Sequence, residues 1–205
     1  MIKNNDGILI VGGGLLQSYA IKKARGIGIK TYLTDGNADC FSKNLADEFY
    51  LIDTKDYIKT SELAETLVKS RKINGVYTQG TDVAFTVAYA AKNSGLAGLD
   101  PDIAWSTENK IIMRKKLFDT GIDKTKYMIA SKVEDLNNCE DLVGFPCYVK
   151  PADNSGSRGV TRVTKPIELK DAFNIAKENN ILENKVLIEE EIIGSEYSID
   201  TIVVD

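Results

Sequence analysis

The sequence predicts an α/β protein in two parts, a parallel-sheet part followed by an α+β part whose sheet is mainly antiparallel. Up to about residue 106, short continuous apolar runs alternate with helical patterns, the order that builds a parallel sheet through right-handed crossovers. Beyond it, strand patterns outnumber helices. Within that second part, Tyr148 to Val163 reads as strand, glycine-containing loop, strand, and the rest of the chain is organised around it. A length of 205 residues suits one large domain or two small ones, and an apolar share of 43% is enough to bury a core.

The first part opens with Ile8-Leu9-Ile10-Val11, a continuous apolar run expected of a strand buried on both faces. Gly12-Gly13-Gly14 follows, then a helical pattern with Leu15, Ala20, Ile21 and Ala24 on one face, ending at Gly26. Thr31 to Thr34 is a second strand running into Asp35, and Phe49 to Ile52 a third. A helix carrying Leu63, Leu67 and Val68 leads to a fourth strand, Gly75 to Thr78, and another helix spans about Asp82 to Asn93. The glycine turn has the first two glycines of a dinucleotide fingerprint but Gln17 in place of the third, and Asp35 lies 23 positions after Gly12, where a ribose-binding acid would sit. Three readings stay open: NAD binding, a tight turn for helix packing, or an anion subsite at a helix amino end. The Thr78 to Asp82 turn, either a helix cap or a ligand contact, would share a crevice with the glycines at the carboxyl ends of the strands.

In the second part, Asp100-Pro101 is an N-cap followed by proline at the first helical position. Thr107 is expected to cap the next helix, with Met113 and Leu117 on its buried stripe and a stop at Gly121. Of its basic residues, Lys110 is the candidate phosphate contact; Arg114, Lys115 and Lys116 are expected in solvent. Strands follow at Tyr127 to Ala130, Pro146 to Lys150 and Val160 to Val163. A helix capped by Thr164, with Pro166 in its first turn, shows Leu169, Ala172, Phe173 and Ala176 at the spacing of one face. Val186 to Ile188 is a strand running into Glu189-Glu190-Glu191, and Glu196 to Val204 alternates as a final strand. The loop Asn154 to Gly159 can lie over a polyphosphate, because glycine lets backbone N–H groups approach an anion, and Lys150 and Arg158 add positive charge. Taken alone, it is equally an ordinary exposed hairpin.

Composition removes several classes of function. There is no histidine, hence no histidine general base, no Ser-His-Asp triad and no histidine-ligated metal. A formal charge of −4 argues against nucleic acid as a partner. Cys40, Cys139 and Cys147 are scattered, as suits free thiols in a reducing cytoplasm. The polar start and the short first apolar run predict neither a signal peptide nor a membrane span.

Three pieces in order resemble the ATP-grasp ligases, a family that includes biotin carboxylase, D-alanine–D-alanine ligase and the large chain of carbamoyl phosphate synthetase. They are Lys110, eleven residues before Gly121; Lys150 to Gly159; and Glu189-Glu190-Glu191-Ile192-Ile193-Gly194-Ser195-Glu196. The resemblance covers the whole chain and implies a Rossmann-like pre-ATP-grasp domain at 1–106, the small lobe of the ATP-grasp fold at 107–189, and the start of the second lobe at 190–205. It implies that Lys110 and Lys150 contact ATP phosphates, and that the loop with Ser155, Gly156, Ser157 and Gly159 closes over them. Glu189 would lie beside the adenine amino group, the Glu190 carbonyl and Ile192 N–H would meet the adenine edge, and Glu196 would take the ribose hydroxyls. A backbone donor and acceptor match an adenine edge, and a carboxylate accepts two hydroxyls well.

The family's Mg²⁺ ligands come well after the ribose-binding glutamate, whereas this sequence ends nine residues past Glu196. The expectation is therefore an ATP-binding portion of a carboxylate–amine ligase, inactive by itself, with no metal site; Asp200 and Asp205 are not promoted to ligands. The partners expected are ATP, a small carboxylate and an amine, with a homodimer possible. Two other classes remain: an NAD(P)-binding Rossmann oxidoreductase built on Gly12 to Gly14 and Asp35, and a non-catalytic ATP-binding module that assembles with another chain.

Overall fold

A computed structural model of the chain describes residues 6–199. They divide into two compact units, with the divide between Met113 and Arg114. In the first, β1 (Gly7–Val11), β2 (Lys30–Asp35), β3 (Glu48–Leu51) and β4 (Gly75–Tyr77) form a sheet in the order β3-β2-β1-β4. All its pairings are parallel, with Leu9 opposite both Tyr32 and Val76. Strand side chains alternate between faces, so β1 feeds two cores. Leu9 joins Tyr32, Ala64, Leu67, Ile73 and Ala90 on the side of α2 (Tyr57–Lys69) and α3 (Ala84–Asn93). Ile10 joins Leu33 and Ile21 on the side of α1 (Leu15–Gly26). Burial on both faces is why β1 reads as a continuous apolar run.

Two local expectations fail here. Leu15 is exposed, and α1 buries Gln17, Ser18, Ile21 and Ala24 instead, because its first turn lies beside the open strand ends rather than over the sheet. Thr107 does not cap a new helix. It lies inside α4 (Pro101–Glu108), its hydroxyl donating to the Ala104 carbonyl at 2.8 Å. The cap of α5 (Lys110–Asp119) is the buried Asn109, whose Oδ1 accepts from the N–H groups of Ile111 and Ile112 at 3.1 Å each. Asp100 caps α4 as expected, accepting from the Asp102 N–H at 2.9 Å.

In the second unit, β5 (Tyr127–Ala130), β6 (Cys147–Pro151), β7 (Thr161–Val163) and β8 (Val186–Glu190) form an antiparallel sheet in the order β5-β8-β6-β7. Between β5 and β6 lie a 3-10 turn (Val133–Asn138) and the short helix α6 (Cys139–Leu142). Then α7 (Leu169–Glu178) lays Leu169, Ala172, Phe173 and Ala176 against one face of the sheet, where Met128, Ala130, Cys147, Val149, Val163, Val186 and Ile188 meet them. The turn before α7 is capped by Glu168 reaching back to the N–H groups of Thr164 and Lys165, at 2.8 and 3.2 Å, rather than by Thr164 itself. The expected buried stripe on α5 is absent: no residue of that helix is buried, and Met113 is 38% exposed. Residues 196–199 carry no strand, contrary to expectation, and the rest of that segment lies outside the described residues. Tyr197 and Ile199 are each 81% exposed, because no neighbouring strand covers them.

Phe173 is 1% exposed at the centre of the second core. Phe173→Ala should therefore destabilise this unit by about 3–5 kcal/mol, read as a lower urea midpoint for the loss of its sheet signal.

Candidate functional site

Period-two alternation places the chemistry of the second unit. Cys147 and Val149 face α7, so Tyr148 and Lys150 point to the opposite side of the sheet; Val186 and Ile188 face α7, so Leu187 and Glu189 share the side of Lys150. Lys150 pairs with Leu187, which puts Glu189 on the diagonal, within reach of a long side chain. The Lys150 ammonium donates to one oxygen of the Glu189 carboxylate, and Arg114 Nε donates to the other. Arg114 in turn bonds Asp123 through Nη1. Arg114 was expected in solvent; its side chain is only 12% exposed and that of Glu189 only 5%. A carboxylate buried this deeply needs compensating cations, and Arg114 and Lys150 are the two that reach it. Asp123 is held below the usual carboxylate range by the hydroxyl and N–H of Thr125, and by Arg114.

Each of the three consecutive acids is engaged. Glu191 takes Arg162 in a two-pronged pair, 2.6 and 2.7 Å, with the Tyr148 hydroxyl at 3.4 Å. Glu190 does something less common. Its N–H donates to the Lys126 carbonyl at 3.0 Å, but the Lys126 N–H goes to Glu190 Oε1 at 2.7 Å instead of to the Glu190 carbonyl. The side chain thus stands in for its own backbone oxygen and leaves that carbonyl out of the β5 ladder. The last strand bond is the Glu191 N–H to the Pro146 carbonyl at 3.1 Å, so Ile192, 70% exposed, lies just beyond the sheet.

The glycine loop is fastened at its base. Asp153 accepts from three successive N–H groups, Ile181, Leu182 and Glu183, at 2.8, 2.6 and 2.8 Å. Asn154 donates to the Asn179 carbonyl at 2.7 Å, and Asn180 receives the Ala152 N–H at 2.7 Å. Gly159, at φ +73°, sits where a Cβ would come within 2.5 Å of the Asn179 Cβ, so no larger residue fits. The Ser155 N–H goes to Asn154 Oδ1, and Gly156, Ser157 and Arg158 are the exposed tip. Arg158 folds back onto Asn154 and Ser155 at 3.1 and 3.3 Å. Lys110 is the first residue of α5 and partly buried, and Glu196 is exposed. Among the described residues no group of three acidic, cysteine or histidine side chains is placed to hold a metal ion.

In the first unit, a crevice of about 480 Å³ opens at the carboxyl ends of the strands, lined by Gly12 to Gly14, Gln17, Asp35, Asn37, Asp53, Thr81 and their neighbours. The glycine turn and the Thr78 to Asp82 turn do meet there, Thr78 donating to the Val11 carbonyl at 2.7 Å. Asp35 spends both oxygens on backbone, accepting from Gly13 N–H at 2.6 Å and Asn37 N–H at 2.7 Å. Gly13 is required by packing: a Cβ there would stand 2.4 Å from Cys40 Sγ.

A parallel-sheet unit followed by an antiparallel unit bearing a glycine hairpin, with a lysine and a glutamate paired at its base, defines an α/β protein of two units. A family model described as D-ala D-ala ligase C-terminus matches residues 118–204. The formate-dependent phosphoribosylglycinamide formyltransferase of Methanocaldococcus jannaschii is 25% identical over 207 residues, covering 97% of this chain and 51% of that protein. The D-alanine–D-alanine ligase of Bacillus licheniformis is 31% identical over 98 residues, covering 44% of this chain and 26% of that enzyme. In fold, the chain is similar to N5-carboxyaminoimidazole synthetase from Staphylococcus aureus complexed with ADP. The TM-score is 0.75 at 16% identity, over 93% of this chain and 48% of that one. Together these matches support an assignment to the ATP-grasp superfamily. It spans about half the length of the formyltransferases it matches.

Glu189→Ala strands two cations in a half-closed site and should cost about 3–5 kcal/mol of stability, whereas Glu191→Gln, at an exposed pair, should lower the urea midpoint far less. The Asp123 contribution is present above its unfolded value near ~3.9 and is lost as pH falls through the lower folded value. The urea midpoint measured from pH 6 downward should thus fall less steeply below about pH 4 in Asp123→Asn than in the parent.

Proposed function

We propose that this chain is the ATP-binding part of a ligase that activates a carboxylate as an acyl phosphate for displacement by an amine. The observation that carries the reading is the Lys150–Glu189 pair at the foot of the glycine hairpin, with the Glu190 carbonyl freed beside it. In this reading residues 1–106 are the pre-ATP-grasp domain, 107–189 the small lobe and 190–205 the start of the second lobe. Lys150 and Lys110 contact the phosphates. The loop with Ser155, Gly156, Ser157 and Gly159 closes over them and excludes water. The Glu190 carbonyl and Ile192 N–H read the adenine edge, and Glu196 accepts from the ribose hydroxyls.

The residues present fit a nucleotide. Lys150 is already aimed by Glu189, so binding costs less side-chain ordering. The hairpin base is fastened by Asp153, Asn154 and Gly159 while its tip stays exposed. Such chemistry is chiefly positioning and charge neutralisation, which a site without histidine can supply. Mg²⁺ would neutralise charge on the phosphates when bound. The 31% match to a D-alanine–D-alanine ligase and the half-length coverage of the formyltransferases support this reading.

In an amide-resolved NMR titration, ATP should shift Ser155 to Gly159 and Glu190 to Ile192, and Lys110→Ala should weaken binding about tenfold, the equivalent of roughly 1.4 kcal/mol. Unmoved amides at those positions at millimolar ATP would remove the reading. Robust ATP turnover by the 205-residue chain with Mg²⁺ and amino acids would refute its dependence on further residues.

A further inference from the structure

Glu190 is set apart from the acids on either side of it. Glu189 and Glu191 are answered by cations. Among the described residues Glu190 makes no ion pair, and its carboxylate accepts one backbone N–H, that of Lys126, at 2.7 Å. An antiparallel hydrogen-bonded pair normally exchanges both of its backbone bonds. Here one half is made, the Glu190 N–H donating to the Lys126 carbonyl at 3.0 Å, and the other half is diverted to the side chain. The Glu190 carbonyl thus faces the β5 side of the sheet with no donor on it among the described residues.

Strand alternation gives this diversion a direction. The Glu191 N–H donates to the Pro146 carbonyl on the β6 side at 3.1 Å, so the Glu190 carbonyl and the Ile192 N–H, which flank it, both face the opposite way. No strand closes off that side: β5 begins at Tyr127, and the Thr125 N–H is held by Asp123 at 2.8 Å. One acceptor and one donor therefore stand open together, the pattern that meets the 6-amino group and N1 of an adenine. Without the Glu190 carboxylate, the Lys126 N–H would complete the ordinary pair, spend the carbonyl, and leave only the donor.

We propose that the Glu190 side chain is a positioning residue: by occupying the Lys126 N–H it keeps its own backbone carbonyl open, and it thereby selects purine nucleotides that carry a 6-amino group. This rests on the ligase reading, in which that carbonyl meets the adenine edge, and assigns to a side chain the availability of a backbone acceptor.

The test compares ATP with purine riboside triphosphate, which lacks only the 6-amino group, on the full chain and on Glu190→Ala and Glu190→Gln. Both probes carry the same charge, so the ratio of their affinities is insensitive to the loss of a carboxylate. The parent should bind ATP about tenfold more tightly than purine riboside triphosphate. Glu190→Gln keeps an oxygen for the Lys126 N–H and should hold that ratio, whereas Glu190→Ala should bring the two within about twofold. A hydrogen-bond scalar coupling from the Lys126 amide nitrogen to the Glu190 backbone carbonyl carbon should be absent in the parent and present in Glu190→Ala, a readout that needs no ligand. That coupling in the parent, an unchanged ratio in Glu190→Ala, or loss of the ratio in Glu190→Gln as well would mean a strand end closed by its side chain and nothing more, and overturns the inference. If ATP still shifts Ser155 to Gly159 in that case, the ligase reading stands; if neither nucleotide shifts them, both fall.

Discussion

The second unit depends on one buried carboxylate. Glu189 stands on the side of the sheet away from α7, between Arg114 and Lys150, and among the described residues the only other acid bonded to either cation is the partly buried Asp123, which binds Arg114 from behind. Desolvating a carboxylate is expensive unless its oxygens are met, so the position of each member is dictated by the others. The amino-terminal stretch of this unit, the centre of β6 and the end of β8 are thereby tied at a single point. Lys150 is consequently held in one place at the base of the hairpin.

The backbone around that point was readable from the chain because it follows from short-range rules. The run Leu9 to Val11 is buried on both faces, and the stripe Leu169, Ala172, Phe173 and Ala176 is buried to the last residue. Lys150 and the Glu189 to Glu191 run were visible as residues of interest. Their partners were not. Arg114 lies in a cluster of basic residues on a helix with no buried face, and nothing in its local pattern separates it from Lys115 or Lys116. What singles it out is the approach of Glu189, 75 positions away. The same holds for Asn109, which displaced Thr107 as the cap of α5: both are good caps, and only the extent of α4 decides between them. Nothing near Glu190 and Glu191 in sequence shows what engages them, because the Lys126 N–H and Arg162 are distant along the chain.

The glycine turn of the first unit teaches a narrower point. Three glycines before a helix suggest a phosphate cradle, but Gly13 is glycine because Cys40 stands against it, and its N–H is held by Asp35. The motif describes the backbone's shape correctly and leaves its charge undetermined. That charge comes from the residues that end β2 and follow β3, which no fingerprint of the turn itself includes.

The hold of Asp153 on the three amides of residues 181–183 has a bearing on how such a protein tolerates insertion. The connection from α7 to β8 looks like ordinary surface chain, the kind where engineers splice tags and where drift accumulates. Here it is the far anchor of the hairpin, so lengthening it by even a residue would retune the hairpin without altering a single residue of it.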